Sequence, residues 1–291
     1  MKHFLKSVFI FFLPIIFGLF FCFLGLNILS ILAIKNSDNY RFDEKINLVF
    51  LGDSHVTHAV IDSNITNSIN LATNAEPYYY TYQKLKFLKN KIKLNNVVLG
   101  FSYHNTSSYY DDLINGSSSG NLSKKIFFCF SNLEKIRLLN WNKNKLIYFI
   151  KNIFSGFKNK KHLFADGYLS LKSNQKMLTP FLNKRIKHQF YKKNQVLDYS
   201  SINLYYLNKI INFCTKNKIK LTLLTTPLHK DYIKNVPEKF KLKYKELTKN
   251  NNINLVDLQN IQISDSCFAY DGDHVTTRGA EELTRELIKH L

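Results

Sequence analysis

INLVFLGDSH, residues 46–55, is the stretch that decides the fold of this chain. Its first six residues form a compact apolar run, which is typical of a buried strand in a parallel sheet. Gly52 ends the run and permits a tight turn, and Asp53 and Ser54 follow at once. Ligands of parallel sheets bind beyond the carboxyl ends of the strands. The Ser54 hydroxyl is therefore expected where a substrate would bind, although Gly-Asp-Ser turns also serve ordinary loops.

Short apolar runs continue to alternate with helical segments along the rest of the chain. Further strands are predicted at residues 69–72, 96–100, 219–225 and 253–257, and helices at 78–91, 202–217, 231–250 and 277–291. Strands that alternate with helices imply a parallel sheet covered on both faces. We therefore expect an α/β fold with about five parallel strands.

Residues 106–200 interrupt this alternation. The segment 117–120 is rich in serine and glycine, and the segment 122–164 alternates aromatic residues with lysines. We interpret the region as a helical insertion over the sheet. Three roles stay open for it: a packed cap, a lid on the active site, or a surface that lies on the membrane.

The chain opens with an apolar segment, residues 7–34, that contains no charged side chain. About 20 apolar residues suffice to cross a bilayer as a helix. A cleaved signal peptide would have a shorter apolar core and a small-residue cleavage site. A lipoprotein would have small residues before Cys22, where this chain has two phenylalanines. The sequence favours a transmembrane signal anchor over a buried core helix.

Three parts of the chain follow from this interpretation: an anchor at 1–35, a polar linker at 36–44 and one domain at 45–291. Lys2 and Lys6 precede the apolar segment. Basic residues beside a membrane span tend to stay in the cytoplasm. We therefore expect a single-pass protein of the cell membrane whose domain lies outside the cytoplasm.

A formal net charge of +20 indicates either an anionic partner or a composition rich in lysine and asparagine. The sequence contains no zinc-finger, helix-turn-helix or aromatic RNA-binding motif, so no nucleic-acid partner is expected. A basic face against anionic lipid headgroups stays open. The three cysteines outside the apolar segment form no C-x-x-C pair. We expect no disulfide framework, metal site or cofactor.

A second polar block, YDGDHV at residues 270–275, precedes the last predicted helix. Asp271 stands three positions before His274, so its carboxylate and the imidazole can meet within one turn. The carboxylate can accept from one ring nitrogen and leave the other to take the proton of Ser54. Alternatively, Asp271 and Asp273 are turn and capping residues and His274 is a polar surface side chain. The pairing with a serine after the first strand favours a Ser-His-Asp catalytic arrangement.

The two blocks together resemble the SGNH (GDSL-type) hydrolase superfamily: Gly52-Asp53-Ser54 after the first strand, and Asp271-x-x-His274 before the last helix. This resemblance covers nearly all of the chain from about residue 45, apart from the insertion. It implies a flavodoxin-like, three-layer α/β/α sandwich. It also implies a serine acyltransferase or esterase with Ser54, His274 and Asp271 as its catalytic residues.

The blocks that form the oxyanion hole in that family are altered here. Ala72 and Ala75 stand where the family has glycines, and the Ala75 backbone N–H remains a candidate donor. Ser102 replaces the family's asparagine after the third strand, with Asn105 as an alternative. The oxyanion donors implied are the N–H groups of Ser54 and Ala75 and the side chain of Ser102 or Asn105.

Several histidines lie near these motifs in the sequence. Their spacing matches no zinc signature, so a metal cluster is not expected. The residues expected to line the substrate site are Asp53, His55, His104 and His229.

An anchored chain with Gly-Asp-Ser-His and with Thr-Pro-Leu-His at residues 226–229 is similar to a subgroup that modifies cell envelopes. That subgroup includes alginate O-acetyltransferase proteins and proteins that D-alanylate teichoic acids. It implies transfer of an acyl group to a bacterial envelope polysaccharide, together with a membrane-bound O-acyltransferase partner. Two alternatives stay open: an esterase or deacetylase on envelope glycans with the same residues, and a non-catalytic protein that binds glycans or a partner.

Overall fold

The computed structural model describes residues 1–35, 42–115, 122, 126, 129–130, 165–172, 178–249 and 253–291. Most of the predicted linker at 36–44 lies outside the described residues. The segment 117–120 and nearly all of 122–164 lie outside them as well. The helical insertion and its three open roles therefore stay predictions.

Seven strands are described, and five of them form one parallel sheet. In chain order the strands are β1 Leu48–Leu51, β2 Ser68–Asn70, β3 Asn96–Gly100, β4 Tyr191–Lys192, β5 Gln195–Val196, β6 Lys220–Thr225 and β7 Asn254–Asp257. The sheet has the order β2-β1-β3-β6-β7, while β4 and β5 form a small antiparallel hairpin. This is the strand order of a flavodoxin-like sheet. The predicted α/β class with five parallel strands is confirmed.

Nine helices are described. They are α1 Lys2–Lys35, α2 Ser54–Ala59, α3 Tyr78–Lys89, α4 Tyr109–Asn115, α5 Thr179–Phe190, α6 Ser201–Lys216, α7 Lys230–Asn235, α8 Glu238–Thr248 and α9 Thr277–Ile288. The prediction of one helix over 231–250 is wrong, because α7 ends before Val236 and α8 begins after Pro237. A residue before proline is driven out of the α region, which separates the two helices.

Helix α1 is strongly apolar, and most of its described side chains are exposed, although Phe23 packs against the core cluster of the domain. Over Lys2–Gly25 its mean hydropathy is 2.7, and none of that window is buried. Thirty-four residues at 1.5 Å each extend about 50 Å, more than the thickness of a hydrocarbon core. By length and composition α1 is able to cross a membrane, and a signal sequence meets the same description. The extracytoplasmic placement of the domain stays a prediction.

Alternate residues of the strands pack on opposite faces of the sheet. On β1, Val49 and Leu51 belong to one buried cluster, which includes residues of α3 and α6. Leu48 and Phe50 belong to a second cluster, which includes residues of α2 and α9. The sheet is thus covered on both faces, and α2 and α9 share one of them.

Helix α9 is joined to the end of α2 through Thr284. The Thr284 hydroxyl donates to the Ala59 carbonyl at 3.3 Å and accepts from the Ile61 N–H at 3.1 Å. At the start of α9, Gly279 packs so closely that a Cβ there would lie 2.3 Å from the carbonyl oxygen of Cys267. These contacts fix the beginning of α9, and with it the loop before it.

Candidate active site

Ser54 is the first residue of α2 and follows β1 by two residues. Asp53 caps the helix, its Oδ1 accepting from the His55 N–H at 3.0 Å. Gly52 has φ +136°, and a Cβ there would come within 3.1 Å of the Gly100 nitrogen. Only glycine tolerates this conformation and this close approach to β3. The turn therefore places Ser54 beyond the carboxyl edge of the sheet, as predicted.

Ser54, His274 and Asp271 lie in one chain of hydrogen bonds. His274 Nε2 is 2.8 Å from Ser54 Oγ, and His274 Nδ1 is 2.8 Å from Asp271 Oδ2. Asp271 Oδ1 also accepts from the backbone N–H groups of Asp273 at 3.1 Å and of His274 at 3.2 Å. When Nδ1 donates its proton to Asp271, Nε2 is left to accept from the serine. The two segments, 220 positions apart, therefore meet as the sequence predicts.

The pKa of Asp271 agrees with this arrangement. Burial alone would raise it, but the hydrogen bond from His274 and the charge of that imidazole hold the pKa below its usual value. Asp271 is thus an ionised carboxylate at neutral pH, in position to stabilise an imidazolium.

Asp53, which precedes the serine in the chain, is only 2% exposed. The prediction that Asp53 lines the substrate site is therefore wrong. Its Oδ2 accepts from His104 Nε2 at 2.9 Å, from Asn105 Nδ2 at 2.8 Å and from the Tyr110 hydroxyl. Burial would raise the pKa of Asp53, but His104 and His55 hold it well below its usual range. The buried Asp53 carboxylate thus accepts four hydrogen bonds, which stabilise the turn between β1 and α2.

His55 and His104 are also buried, so the prediction that they line the site is wrong for both. Their rings pack together with centroids 4.3 Å apart. His55 Nδ1 is 3.2 Å from the Thr226 hydroxyl. His229, likewise predicted to line the site, is buried too and caps α7, where its Nδ1 accepts from the Asp231 N–H. His229 is one of the residues that line a cavity of about 240 Å³, together with Gln259 and Phe268.

Asn105, one of the two predicted oxyanion side chains, points into the protein. Its amide nitrogen donates to Asp53 Oδ2 and to the Tyr110 hydroxyl, and its Oδ1 accepts from the Ser102 N–H at 2.7 Å. The prediction that Asn105 reaches the oxyanion is therefore wrong in this geometry. Ser102 is buried, and its hydroxyl has no hydrogen-bond partner within the described ranges.

The loop after β2 carries the predicted backbone donor Ala75, which has φ +57°. Just before it, the Asn74 N–H donates to Asp166 Oδ2 at 2.9 Å. Lys84, fully buried, donates to the Leu71 carbonyl and to the Thr73 hydroxyl. Hydrogen bonds to Asp166 and from Lys84 thus hold the loop in place. The roles of the Ala75 and Ser54 N–H groups as oxyanion donors stay predictions.

Arg185 and Gln189, one helical turn apart on α5, were not foreseen as site residues. Both bind the buried Asp273: Arg185 Nε lies 2.6 Å, and Gln189 Nε2 lies 2.9 Å, from its Oδ2. The other oxygen of Asp273 is 3.0 Å from His55 Nε2. Arg185 Nη2 is 3.5 Å from His274 Nε2. The only signal in the sequence was the four-residue spacing of two polar side chains inside a region interpreted as an insertion.

The rim of the site carries exposed apolar side chains. The Phe181 ring packs edge-on against Tyr270 with centroids 4.9 Å apart, next to Asp271 in the chain. His58 packs against the His274 ring, and its Nδ1 lies 2.8 Å from the Leu169 carbonyl oxygen. Phe181, Tyr270 and Leu169 are all exposed. Two aromatic rings and one aliphatic side chain are thus exposed close to the residues that hold or contact His274.

His55, Asp273 and His274 each bring one potential metal ligand to within 4.8 Å of the others. Asp273 is already paired with the guanidinium of Arg185 and with His55. A fixed positive charge on the same carboxylate disfavours a metal cation there. The donor set therefore fits hydrogen bonding better than metal binding.

Comparisons with known proteins find structural likenesses only. No family model matches the sequence, and no curated protein matches it. A GDSL-like lipase from Bacteroides thetaiotaomicron is similar at 12% identity and a TM-score of 0.41, over 87% of this chain and 94% of that one. A protein described as lipolytic and of the G-D-S-L family, from Desulfitobacterium hafniense, is similar at 9% identity and a TM-score of 0.38, over 84% and 99%. Likenesses of this size do not bear on activity, which is inferred below from the geometry.

Proposed function

We propose that this chain is a serine acyl-transfer enzyme of the SGNH (GDSL-type) kind, which forms an acyl-enzyme on Ser54. One observation carries the proposal: Ser54, His274 and Asp271 are linked by two hydrogen bonds of 2.8 Å each. A nucleophile, a base and a group that orients the base make up the arrangement that activates a serine for acyl transfer.

In the first step His274 Nε2 takes the Ser54 proton while Oγ attacks the acyl carbonyl carbon. The resulting tetrahedral oxyanion collapses as the ester bond breaks, and the imidazolium gives its proton to the departing alcohol. In the second step His274 takes a proton from the acceptor hydroxyl, which attacks the acyl-enzyme; as the bond to Ser54 breaks, the imidazolium returns the proton to Ser54 Oγ. Asp271 keeps the imidazole in the right tautomer and stabilises its charged form throughout.

The acceptor decides between transfer and hydrolysis. We infer a sugar hydroxyl of a cell-envelope polysaccharide as acceptor and an acetyl group as the acyl unit. Helix α1 supports this choice, since its length and apolar composition suit a membrane anchor that holds the domain near the envelope. The exposed rings of Phe181 and Tyr270 offer apolar faces of the kind on which sugars stack. A membrane-bound O-acyltransferase would supply the acyl group across the membrane.

Labelling with a small fluorophosphonate tests the nucleophile. The full chain in detergent micelles should be labelled once, with the adduct on Ser54 by peptide mass spectrometry. Ser54→Ala should abolish labelling, whereas Ser63→Ala, a change at an exposed serine nearby, should leave the rate unchanged. A folded wild-type chain that stays unlabelled by the smallest such reagent would leave only the non-catalytic alternative, a protein that binds glycans or a partner.

The acyl acceptor is tested in cells that lack the gene. If envelope polysaccharide loses its O-acetyl groups, and Ser54→Ala fails to restore them, the chain is a transferase. A gain of acetyl groups would instead identify it as a deacetylase with the same catalytic residues. Unchanged acetylation would contradict both.

A further inference from the structure

In the loop after β3, the Asn105 side chain is engaged inside the protein and is not free to donate to an oxyanion on Ser54. The Asn105 amide nitrogen donates to Asp53 Oδ2 and to the Tyr110 hydroxyl. Ser102 is buried. Removing one side-chain donor from an oxyanion hole typically lowers kcat about 10²–10³-fold. An enzyme with the proposed activity needs that donor from another part of the fold.

Arg185 lies beside the reacting atoms. Its Nη2 is 3.5 Å from His274 Nε2, and Ser54 Oγ is 2.8 Å from the same nitrogen. The guanidinium and the serine hydroxyl thus approach the same imidazole nitrogen, and an acyl carbonyl carbon bonded to Ser54 Oγ places its oxygen about 2.5 Å or less from that Oγ by ordinary bond geometry. The Arg185 side chain is 22% exposed. It is therefore accessible to a substrate, yet surrounded mostly by protein.

The guanidinium is held in place before any substrate arrives. Its Nε lies 2.6 Å from Asp273 Oδ2, and Gln189 donates to the same oxygen. The Tyr232 hydroxyl in turn donates to Gln189 Oε1 at 2.6 Å. Asp273 is fully buried, and although burial raises its pKa, His55 and Arg185 hold that pKa well below its usual value. A donor oriented in advance needs no reorganisation when charge develops in the transition state.

We infer that Arg185 donates a hydrogen bond from Nη2 to the acyl carbonyl oxygen as it becomes an oxyanion, in place of the engaged Asn105 amide. This inference rests on the proposed acyl-enzyme at Ser54. Arg185 transfers no proton: it stabilises the negative oxygen while the bond to Ser54 forms and the ester bond breaks. Asp273 and Gln189 are positioning residues for it. If Arg185 served only as the counter-ion of Asp273, the contact through Nε would suffice. Its Nη2, in addition, lies 3.5 Å from Nε2 of the catalytic imidazole.

The test compares Arg185→Lys and Arg185→Ala with the wild-type full chain in micelles. Arg185→Lys keeps a positive charge beside Asp273, so the melting temperature should stay within a few degrees. The lysine lacks the second nitrogen that arginine places beside His274. Turnover of p-nitrophenyl acetate should fall about 10²–10³-fold in kcat with KM nearly unchanged, because the donor acts in the transition state. Arg285→Met, at an exposed arginine paired only with Glu282 among the described residues, is the matched control and should keep full activity.

Chemical rescue separates a catalytic guanidinium from a structural one. Guanidinium or methylguanidinium ions at millimolar concentration should restore turnover at least tenfold to Arg185→Ala but not to Ser54→Ala. Folded Arg185→Lys and Arg185→Ala chains with kcat within threefold of wild type would overturn the inference and leave the proposed function standing. Activity lost together with thermal stability, with no rescue, would likewise overturn it. A wild-type chain that neither turns over ester nor accepts a fluorophosphonate would instead defeat the proposed function itself.

Discussion

Asp53→Asn is expected to destabilise the fold strongly although it changes one atom. In the native protein the carboxylate accepts four hydrogen bonds: one from the His55 backbone and three at Oδ2, from His104, Asn105 and Tyr110. Asparagine can still cap α2 through its oxygen. Its NH₂ group then occupies the Oδ2 position and faces three donors in a buried space.

The magnitude follows from those three contacts. A hydrogen bond to a charged group contributes about 1.5–3 kcal/mol. Asn105 and Tyr110 keep the 3.1 Å bond that they already share in the wild type, so neither side chain is left without any partner. We expect the free energy of unfolding to fall by about 3–5 kcal/mol at pH 7. Adding Tyr110→Phe removes one opposed donor, so that change should cost less in the Asp53→Asn background than in the wild type.

Acid should narrow the difference in free energy of unfolding between the wild type and Asp53→Asn. The folded pKa of Asp53 lies well below its ordinary value of 3.8, because His104, His55 and Tyr110 outweigh the effect of burial. The stabilisation is therefore complete above pH 3.8 and is lost progressively below it, as the unfolded chain binds a proton that the folded chain does not. Asparagine has no such titration.

Urea unfolding read by pulse proteolysis of the full chain in micelles measures both effects. The measurement runs at pH 7 and at several values below 4, on wild type, both single variants and the double variant. A destabilisation of Asp53→Asn below about 1 kcal/mol, near the range of ordinary surface substitutions, would refute the reasoning. A difference that stays constant from pH 7 to pH 3 would refute the assignment of an ionised Asp53.

Three further predictions concern other parts of the site. Asp271→Asn should slow phosphonylation roughly 10⁴-fold with unfolding unchanged, because the base loses the partner that fixes its tautomer; a loss under tenfold contradicts this role. Gly279→Ala should cost about 1–3 kcal/mol in urea unfolding, since its Cβ would lie 2.3 Å from the Cys267 carbonyl oxygen; a neutral result means that α9 shifts freely. Lys84→Met should cost about 3–5 kcal/mol by leaving the buried Glu76 without its cation. Adding Glu76→Gln should recover part of that loss in the same assay, and full additivity would contradict the coupling.

The sheet and the meeting of the two motifs could be predicted because both follow from chain-wide patterns. Strands buried on both faces, such as β1 with Val49 and Phe50, read as continuous apolar runs. Parallel strands bring their carboxyl ends to one edge, so residues 54 and 274 meet without any knowledge of the side chains between them.

Side-chain direction could not be predicted, because it depends on contacts between distant segments. Asn105 has the right residue type for an oxyanion donor, yet the buried carboxylate of Asp53 turns it inward. Arg185 gives no periodic signal, since its partner Asp273 lies 88 positions away. The division between α7 and α8 was visible in Pro237, but the charged pattern continues on both sides of it.

The Thr284 hydrogen bonds that join α9 to α2 have a consequence for the nascent polypeptide. A ribosome makes Ser54 early and His274 more than two hundred residues later, and the Thr284 contacts with residues 59 and 61 form later still. Until that moment the hydroxyl has no base and is as unreactive as any alcohol. A chain interrupted before residue 274 would therefore carry Ser54 without the imidazole that the proposed mechanism requires.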